Sequence, residues 1–349
     1  MPAKRGFMSK AAIGKETTWG TGVAVTEELP FISEGLTKSV DKVYQEYLDR
    51  TAGAKRREVV SETVNGNITV EGVYDATTGG TTGIDMLISL AFGASAWDSL
   101  NGYAQYTLAD DVNGSATVAV NKDGTVWEMQ GAKINTLTIS AAAGGKMQVS
   151  ADLVGKALYL TGDAGIVNAA SAVNGVGTTA ADSPPIIIFP QLAIRIGGLS
   201  AALGAGNVVN ISEFEISLNN GLSDPTFVSG SKQTIEPKRN GFREVTGTIT
   251  FPRYESDTLL QYFRDATLLQ MDLKFTDGTN EFNIYIPKLV FSDPPEAAVG
   301  GAALIPLSLS FKALSNADQQ NANMKFSDGS TVVTTEIAVE TKNGRTAAA

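Results

Sequence analysis

The chain has 349 residues, with 27 Lys and Arg against 37 Asp and Glu, which gives a net charge of −10 and a pI near 4.7. So acidic a protein lacks the excess of cations that docks on a phosphate backbone, so it is not expected to bind DNA tightly. Cysteine and histidine are both absent. Disulfides, thiol nucleophiles, imidazole bases and the commonest metal ligands are therefore excluded, and we expect no cofactor and no enzyme activity.

The N-terminal residues lead into no continuous apolar segment of the kind that a signal peptide needs. The purest apolar run, Ile186 to Phe189, is short and lies between Pro185 and Pro190. We therefore expect a soluble protein, made in the cytoplasm and not inserted in a membrane.

Alternating apolar and polar residues are typical of strands that bury one face, and Asn-Gly and Asp-Gly pairs between such stretches favour hairpin turns. The clearest alternating stretches are Ala116 to Val120, Ile134 to Ile139, Met147 to Leu153, Phe214 to Leu218, Met271 to Phe275, Phe282 to Ile286 and Leu307 to Phe311. This pattern predicts a mainly β, antiparallel protein.

Two segments have helical spacing, Gly83 to Phe92 and Asp257 to Asp265, the second after Ser256 as a candidate N-cap. Each follows a strand, and this coincidence points to an internal repeat. Val64 to Val70 (VNGNITV) matches Val245 to Phe251 (VTGTITF) at an offset of 245 − 64 = 181.

Two further matches keep the same order along the chain. Ile32 to Glu34 matches Ile211 to Glu213 at an offset of 179, and Val149 to Leu158 matches Ile305 to Leu314 at 156. The fall in offset predicts extra residues in the first half, around 77–82 and 94–123.

The repeat predicts a first domain at 1–158 and a second at 186–314. Between them, 159–185 is rich in Ala, Gly and Asn and ends in Pro184-Pro185, which favours a linker or an extended surface loop. A C-terminal extension follows at 315–349, in which Thr331 to Ile337 predicts one more strand.

The sequence contains no recognisable catalytic or metal-binding motif. Gly204-Ala-Gly206 lacks the strand-turn-helix context of a dinucleotide fingerprint, and Asp110-Asp111-Val-Asn113-Gly114 lacks the later acidic ligand of a calcium loop. Basic residues precede the shared strand in both halves, namely Lys55, Arg56, Arg57, Lys238 and Arg239. We expect them to contact another subunit or solvent rather than nucleic acid, within the loops 39–60 and 223–242.

The stretch Ile13 to Thr21 (IGKETTWGT), followed by Ile32-Ser-Glu, the Val64 to Val70 strand and a helix, resembles the opening of phage tail tube proteins of long-tailed, siphovirus-type phages. The resemblance implies two tandem tail-tube-like domains, each a β-sandwich or half-barrel with one flanking helix. It also implies a structural virion protein whose rings stack into the hollow conduit for genome delivery.

Two such domains in one chain predict a ring of three chains with pseudo-sixfold symmetry, or else a hexamer. The resemblance implies as partners other copies of the chain, a tape measure protein, tail terminator and tail tip proteins, and double-stranded viral DNA passing through the lumen.

Other functions remain open from the residues alone. A β-sandwich adhesin or carbohydrate-binding module is one alternative, and an enzyme using a carboxylate pair is another. A capsid decoration or tail terminator protein is a third.

Overall fold

A computed structural model describes residues 3–45, 53, 56–74, 83–177, 184–254, 257–294 and 304–343. Within these ranges the protein is mainly β, with nineteen strands and three α-helices. The strands are β1 Lys10–Glu16, β2 Glu27–Leu29, β3 Phe31–Glu34, β4 Thr37–Tyr44, β5 Arg57–Glu71, β6 Gly93–Asp98, β7 Tyr103–Leu108, β8 Ser115–Lys122, β9 Thr125–Ala142, β10 Gln148–Gly155, β11 Ala157–Leu160, β12 Leu192–Gly198, β13 Val208–Val209, β14 Glu213–Asn219, β15 Glu244–Phe251, β16 Leu269–Thr276, β17 Glu281–Phe291, β18 Leu307–Ala313 and β19 Ala338–Lys342. The helices are α1 Ile84–Phe92, α2 Ala170–Gly175 and α3 Thr258–Arg264.

Six of the seven alternating stretches lie wholly in strands, and the seventh, Met147 to Leu153, does so from Gln148 onwards. Both predicted helices are confirmed as α1 and α3. The predicted cap Ser256 lies outside the described residues, and the N-cap Asp257 makes no side-chain capping bond. All nine residues of α1 are buried, and the helix packs against β6, β7 and β9.

A long antiparallel sheet of eight strands runs through the whole molecule. Its order is β4–β5–β10–β9–β14–β15–β18–β17. The first four strands come from the first half of the chain and the last four from the second half. Pairing of β9 with β14, from Thr136↔Asn219 to Ala142↔Glu213, joins the two halves through their backbones.

Each half also has a smaller flanking sheet, β2–β1–β8–β9–β11 in the first and β13–β12–β16–β17–β19 in the second. The second of these sheets continues into the first half, because β19 pairs with β7 and β7 pairs with β6. One hydrophobic core draws residues from both halves, from Ile13 and Ile68 to Phe275 and Phe311. Burial of this core supplies the main stabilisation of a chain without disulfides.

The pairing of strands follows the same order in both halves. The equivalent pairs in the centre of each are Ile68 with Glu34 and Ala151, and Ile249 with Phe214 and Leu309. These pairs give offsets of 249 − 68 = 181, 214 − 34 = 180 and 309 − 151 = 158. The offset of 181 agrees with the sequence match. The other two offsets from strand pairing, 180 and 158, differ by one and two residues from the sequence offsets of 179 and 156.

Two segments differ from the sequence-based expectations. The expected linker carries the end of β11 and the helix α2, whose Val173 is fully buried against the first half. The C-terminal strand is β19 at 338–342, and not Thr331 to Ile337. The hairpin β6–β7 after α1 has no counterpart between α3 and β16, and it lies in the extra region expected at 94–123. The other expected region, 77–82, is outside the described residues. The limits of the two domains stay a prediction.

Candidate assembly surfaces

The N-terminal stretch around Glu16 and Trp19 fastens a bend in the long strand β9. At Gly131, where φ is 71°, β9 leaves the first flanking sheet and enters the long sheet. The backbone N–H of Gly131 donates to Glu16 Oε1 at 2.8 Å, and the Trp19 indole N–H donates to the carbonyl of Gly131 at 3.0 Å. The residues that carry the resemblance therefore have a structural role in the corner of the β-sandwich.

The connection between β14 and β15 is a hairpin that we call the second arm, residues 222–239. Isolated bridges pair Leu222 with Arg239 and Phe227 with Thr234. The arm crosses the end of the first half of the long sheet and reaches β5, where the N–H of Glu62 donates to the carbonyl of Lys232 at 2.8 Å. The second arm therefore makes a further contact between the two halves, beside the pairing of β9 with β14.

Lys133 of β9 holds the second arm from below. Its side chain is completely buried, and its ammonium donates to Glu236 Oε1 at 2.7 Å, to the carbonyl of Val112 at 2.8 Å and to that of Pro237 at 3.2 Å. Three acceptors match its three protons. Burial lowers the pKa of Lys133, against the raising effect of Glu236.

Glu236 lies at the edge of this contact, with its side chain 31% exposed. Burial acts to raise its pKa, but hydrogen bonds and charge from Lys133 and Lys238 outweigh it and leave the pKa below the ordinary value. Glu236 is thus charged at neutral pH.

Lys238 and Arg239, both expected at a subunit contact, bind the loop 109–113 of the first half. Arg239 donates to the carbonyls of Ala109, Asp110 and Asn220. Lys238 is half exposed and donates to Asn113 Oδ1 at 3.0 Å. The contacts shown for Arg239 are within the chain, and a subunit contact for either residue stays a prediction.

The other basic residues lie on a separate hairpin, at the far edge of the long sheet. Lys55 lies outside the described residues, while Arg56 pairs with Glu58 at 2.6 Å and Arg57 pairs with Tyr44 in the β4–β5 ladder. Their place at a subunit interface also stays a prediction.

The strand β4 ends the long sheet on this side. Among the described strands it is hydrogen-bonded to β5 alone, and seven of its eight residues are exposed. An unpaired edge of this length readily accepts a further strand, and natural proteins usually cover or charge it. Two of its exposed side chains are large and apolar, Val43 and Tyr44, at 56% and 52%.

The candidate calcium loop is instead bound by cations of the chain. Asp110 faces Arg243 and Asp111 faces Lys238, each at 3.9 Å. In the part of the chain that the structure describes, no cluster of three or more acidic residues is placed to hold a metal. No helix among the described residues has the length and apolarity to cross a membrane.

Sequence reasoning missed Lys133, Glu236 and the exposed edge of β4. Lys133 directly precedes an alternating stretch, and a single sequence does not distinguish it from a solvated lysine. β4 (TKSVDKVY) alternates too weakly to predict which edge stays open.

The chain was compared with known protein families and with curated proteins. One family, described as Phage tail tube protein, matches residues 6–313. No curated protein matches the chain. The match spans both halves of the long sheet and includes the stretch from Glu16 to Trp19. The chain therefore belongs to the phage tail tube protein family, a structural family whose members assemble into the tube of the virion tail.

Proposed function

We propose that the protein is the tail tube subunit and that its copies close into rings by continuing the long sheet from one copy to the next. The observation that carries this proposal is the pairing of β9 with β14. β14 stands in the second half where β3 and β4 stand in the first. Within the chain β14 is covered by β9, whereas β4 is paired on one side only.

A closed ring results if neighbouring copies pair in the same way as β9 and β14 pair within one chain. β4 of one copy takes the position of β14 and pairs with the end of the long sheet in the next copy. Each chain supplies four strands from each half, so three copies place six similar units around an axis. The ring leaves no edge of the long sheet open, which also limits uncontrolled aggregation.

Stacked rings form the conduit for the viral genome. The net charge of −10 favours passage of DNA, because an acidic surface does not retain phosphates. The protein acts without catalysis, and its partners are further copies, a tape measure protein, and tail terminator and tail tip proteins. The protein is made and assembled in the host cytoplasm and becomes part of the virion tail.

The test combines the mass in solution with negative-stain electron microscopy across a range of protein concentrations. We expect rings or hollow tubes whose building block has three times the mass of the chain, 36.5 kDa. A building block of six chains supports the ring but not the pseudo-sixfold trimer. A monomer without assemblies at any concentration contradicts the proposed function.

A further inference from the structure

The chain contains seven Asn-Gly pairs, at 65, 101, 113, 174, 220, 240 and 343. Glycine hinders its own backbone nitrogen least of all residues, because it has no Cβ. In an unrestrained Asn-Gly pair this nitrogen attacks the side-chain amide of the asparagine. Such a pair is therefore a site of spontaneous deamidation, unless the fold holds the groups that must react.

Five of these pairs are restrained by strand pairing, by burial or by a hydrogen bond of the asparagine side chain. Asn65 lies in the ladder between β4 and β10, Asn220 is completely buried, and Asn101, Asn113 and Asn174 bond to Asp98, Lys238 and Asn121. At Asn101 the attacking group is held as well, because the Gly102 N–H donates to the carbonyl of Asp98 at 2.8 Å. The pair at 343 extends beyond the described residues.

Asn240 and Gly241 lie in the segment that joins the second arm to β15. Both are exposed, and the next residue, Phe242, is 98% exposed. Among the described residues, no group hydrogen-bonds to the Asn240 side chain or to the Gly241 N–H. A Cβ placed on Gly241 would meet no atom within 4 Å, so the space beside its nitrogen is open. In this pair the fold restrains neither of the reacting groups.

We propose that Asn240 is a site of spontaneous deamidation in the folded protein. The Gly241 nitrogen forms a bond to the side-chain carbonyl carbon of Asn240 and loses its proton. The C–N bond of the side-chain amide breaks, and ammonia leaves with that proton. Water then opens the cyclic imide at either carbonyl, which gives aspartate or isoaspartate. The reaction needs water alone, because no atom is oxidised or reduced.

The product changes the base of the second arm. Either product carries a new carboxylate, so the net charge falls from −10 to −10 − 1 = −11. Isoaspartate also adds a carbon atom to the backbone between Arg239, which is bound to the loop 109–113, and β15, which is paired with β14. We expect isoaspartate to loosen the second arm, whereas aspartate keeps the backbone unchanged. The inference does not depend on the proposed ring.

The first experiment incubates the wild-type protein at pH 8 in oxygen-18 water, below the concentration of assembly, and maps its peptides by mass spectrometry. The label enters with the water that opens the imide, so it excludes deamidation during the digestion. Asn101 is the internal control, because it is also exposed and also precedes glycine. We expect Asn240 to be labelled at least tenfold faster than Asn101. Equal rates contradict the inference.

The second experiment separates the effect of the fold from that of the sequence. In urea-unfolded chains the two asparagines should react at similar rates, because the bonds that hold Asn101 are lost. In the folded protein Gly241→Ala should slow the reaction of Asn240 at least tenfold, since a Cβ hinders the nitrogen. Gly206→Ala is the matched control, because its Cβ also meets no atom within 4 Å, and it should leave the rate unchanged.

Two further outcomes would overturn the inference. One is an unchanged rate at Asn240 in Gly241→Ala, which rules out attack by this nitrogen. The other is a tenfold difference between Asn240 and Asn101 that persists in unfolded chains, which rules out control by the fold. Both rates are measured on single chains, so the presence or absence of rings bears on the proposed function alone.

Discussion

The ion pair between Lys133 and Glu236 tests what holds the second arm to the first half. In Glu236→Gln the buried ammonium loses its counter-charge. Removing one partner of a fully buried pair costs about 3–5 kcal/mol. Because the Glu236 side chain is 31% exposed, water replaces part of the lost interaction. We therefore expect the free energy of unfolding to fall by about 2 kcal/mol.

The reverse substitution, Lys133→Met, has a smaller expected cost. It leaves the carbonyls of Val112 and Pro237 without their side-chain donor, at about 1 kcal/mol each. It also removes the desolvation cost of a buried charge and keeps most of the packing volume, which offsets about half of that loss. The net expectation is about 1 kcal/mol. Glu236, already in contact with water, becomes more hydrated.

The assay is urea unfolding at pH 7, followed by tryptophan fluorescence, at a concentration below that of assembly. The double variant Lys133→Met with Glu236→Gln should match Lys133→Met alone, because Glu236 no longer has a buried charge to neutralise. As a matched control, Lys238→Met removes a half-exposed cation and should cost less than about 0.5 kcal/mol. The reasoning is refuted if Lys133→Met costs as much as Glu236→Gln.

Three other predictions concern pH, backbone conformation and a buried carboxylate. Glu236 has a lower pKa in the folded state than its ordinary value of 4.5, so its charge stabilises the fold at pH values above 4.5. The difference in free energy of unfolding between wild type and Glu236→Gln should therefore shrink as the pH falls below 4.5. Gly131→Ala should cost more than about 1 kcal/mol, because φ is 71° and a Cβ would come within 2.9 Å of another carbon. Glu128→Gln should speed proteolysis within 161–177, since its buried carboxylate accepts two backbone N–H groups there.

Each of these has a measurement that can contradict it. Urea unfolding from pH 7 down to pH 3 measures the first, and an undiminished difference at low pH contradicts it. Gly144→Ala is the control for the second, because φ is similar at 76° but no atom lies within 4 Å of the new Cβ. An equal loss in both variants rules out the crowding. Limited proteolysis with mass spectrometry measures the third, and unchanged cleavage contradicts it.

Local patterns predicted the strands and helices well for physical reasons. A strand that buries one face needs a period of two, and Phe214 to Leu218 shows it in the letters alone. α1 was predicted from an apolar stripe, yet all of its residues are buried, including Asp85 and Ser89. Burial of the polar residues depends on the sheets that cover the helix, which no helical period reports.

The internal repeat can be recognised from the sequence, but the exact alignment of its outer strands cannot. Val64 to Val70 and Val245 to Phe251 align correctly because β5 and β15 lie at the centre of each half. The match of Val149 to Leu158 with Ile305 to Leu314 misplaces β18 by two residues, since it compares letters and not hydrogen-bonded partners. A register shift of two residues leaves every side chain on the same face of the strand, so the alternating pattern does not reveal the error.

The sequence by itself determined the β class, the order of the elements, the two shared helices and the resemblance in Ile13 to Thr21, because each depends on residues close together in the chain. The tertiary structure alone decided that β9 pairs with β14, that Lys133 is buried, and that β4 and Phe242 are exposed. These features depend on contacts between distant segments. A lysine on a strand carries the same letter whether it meets water or a carboxylate from the other half.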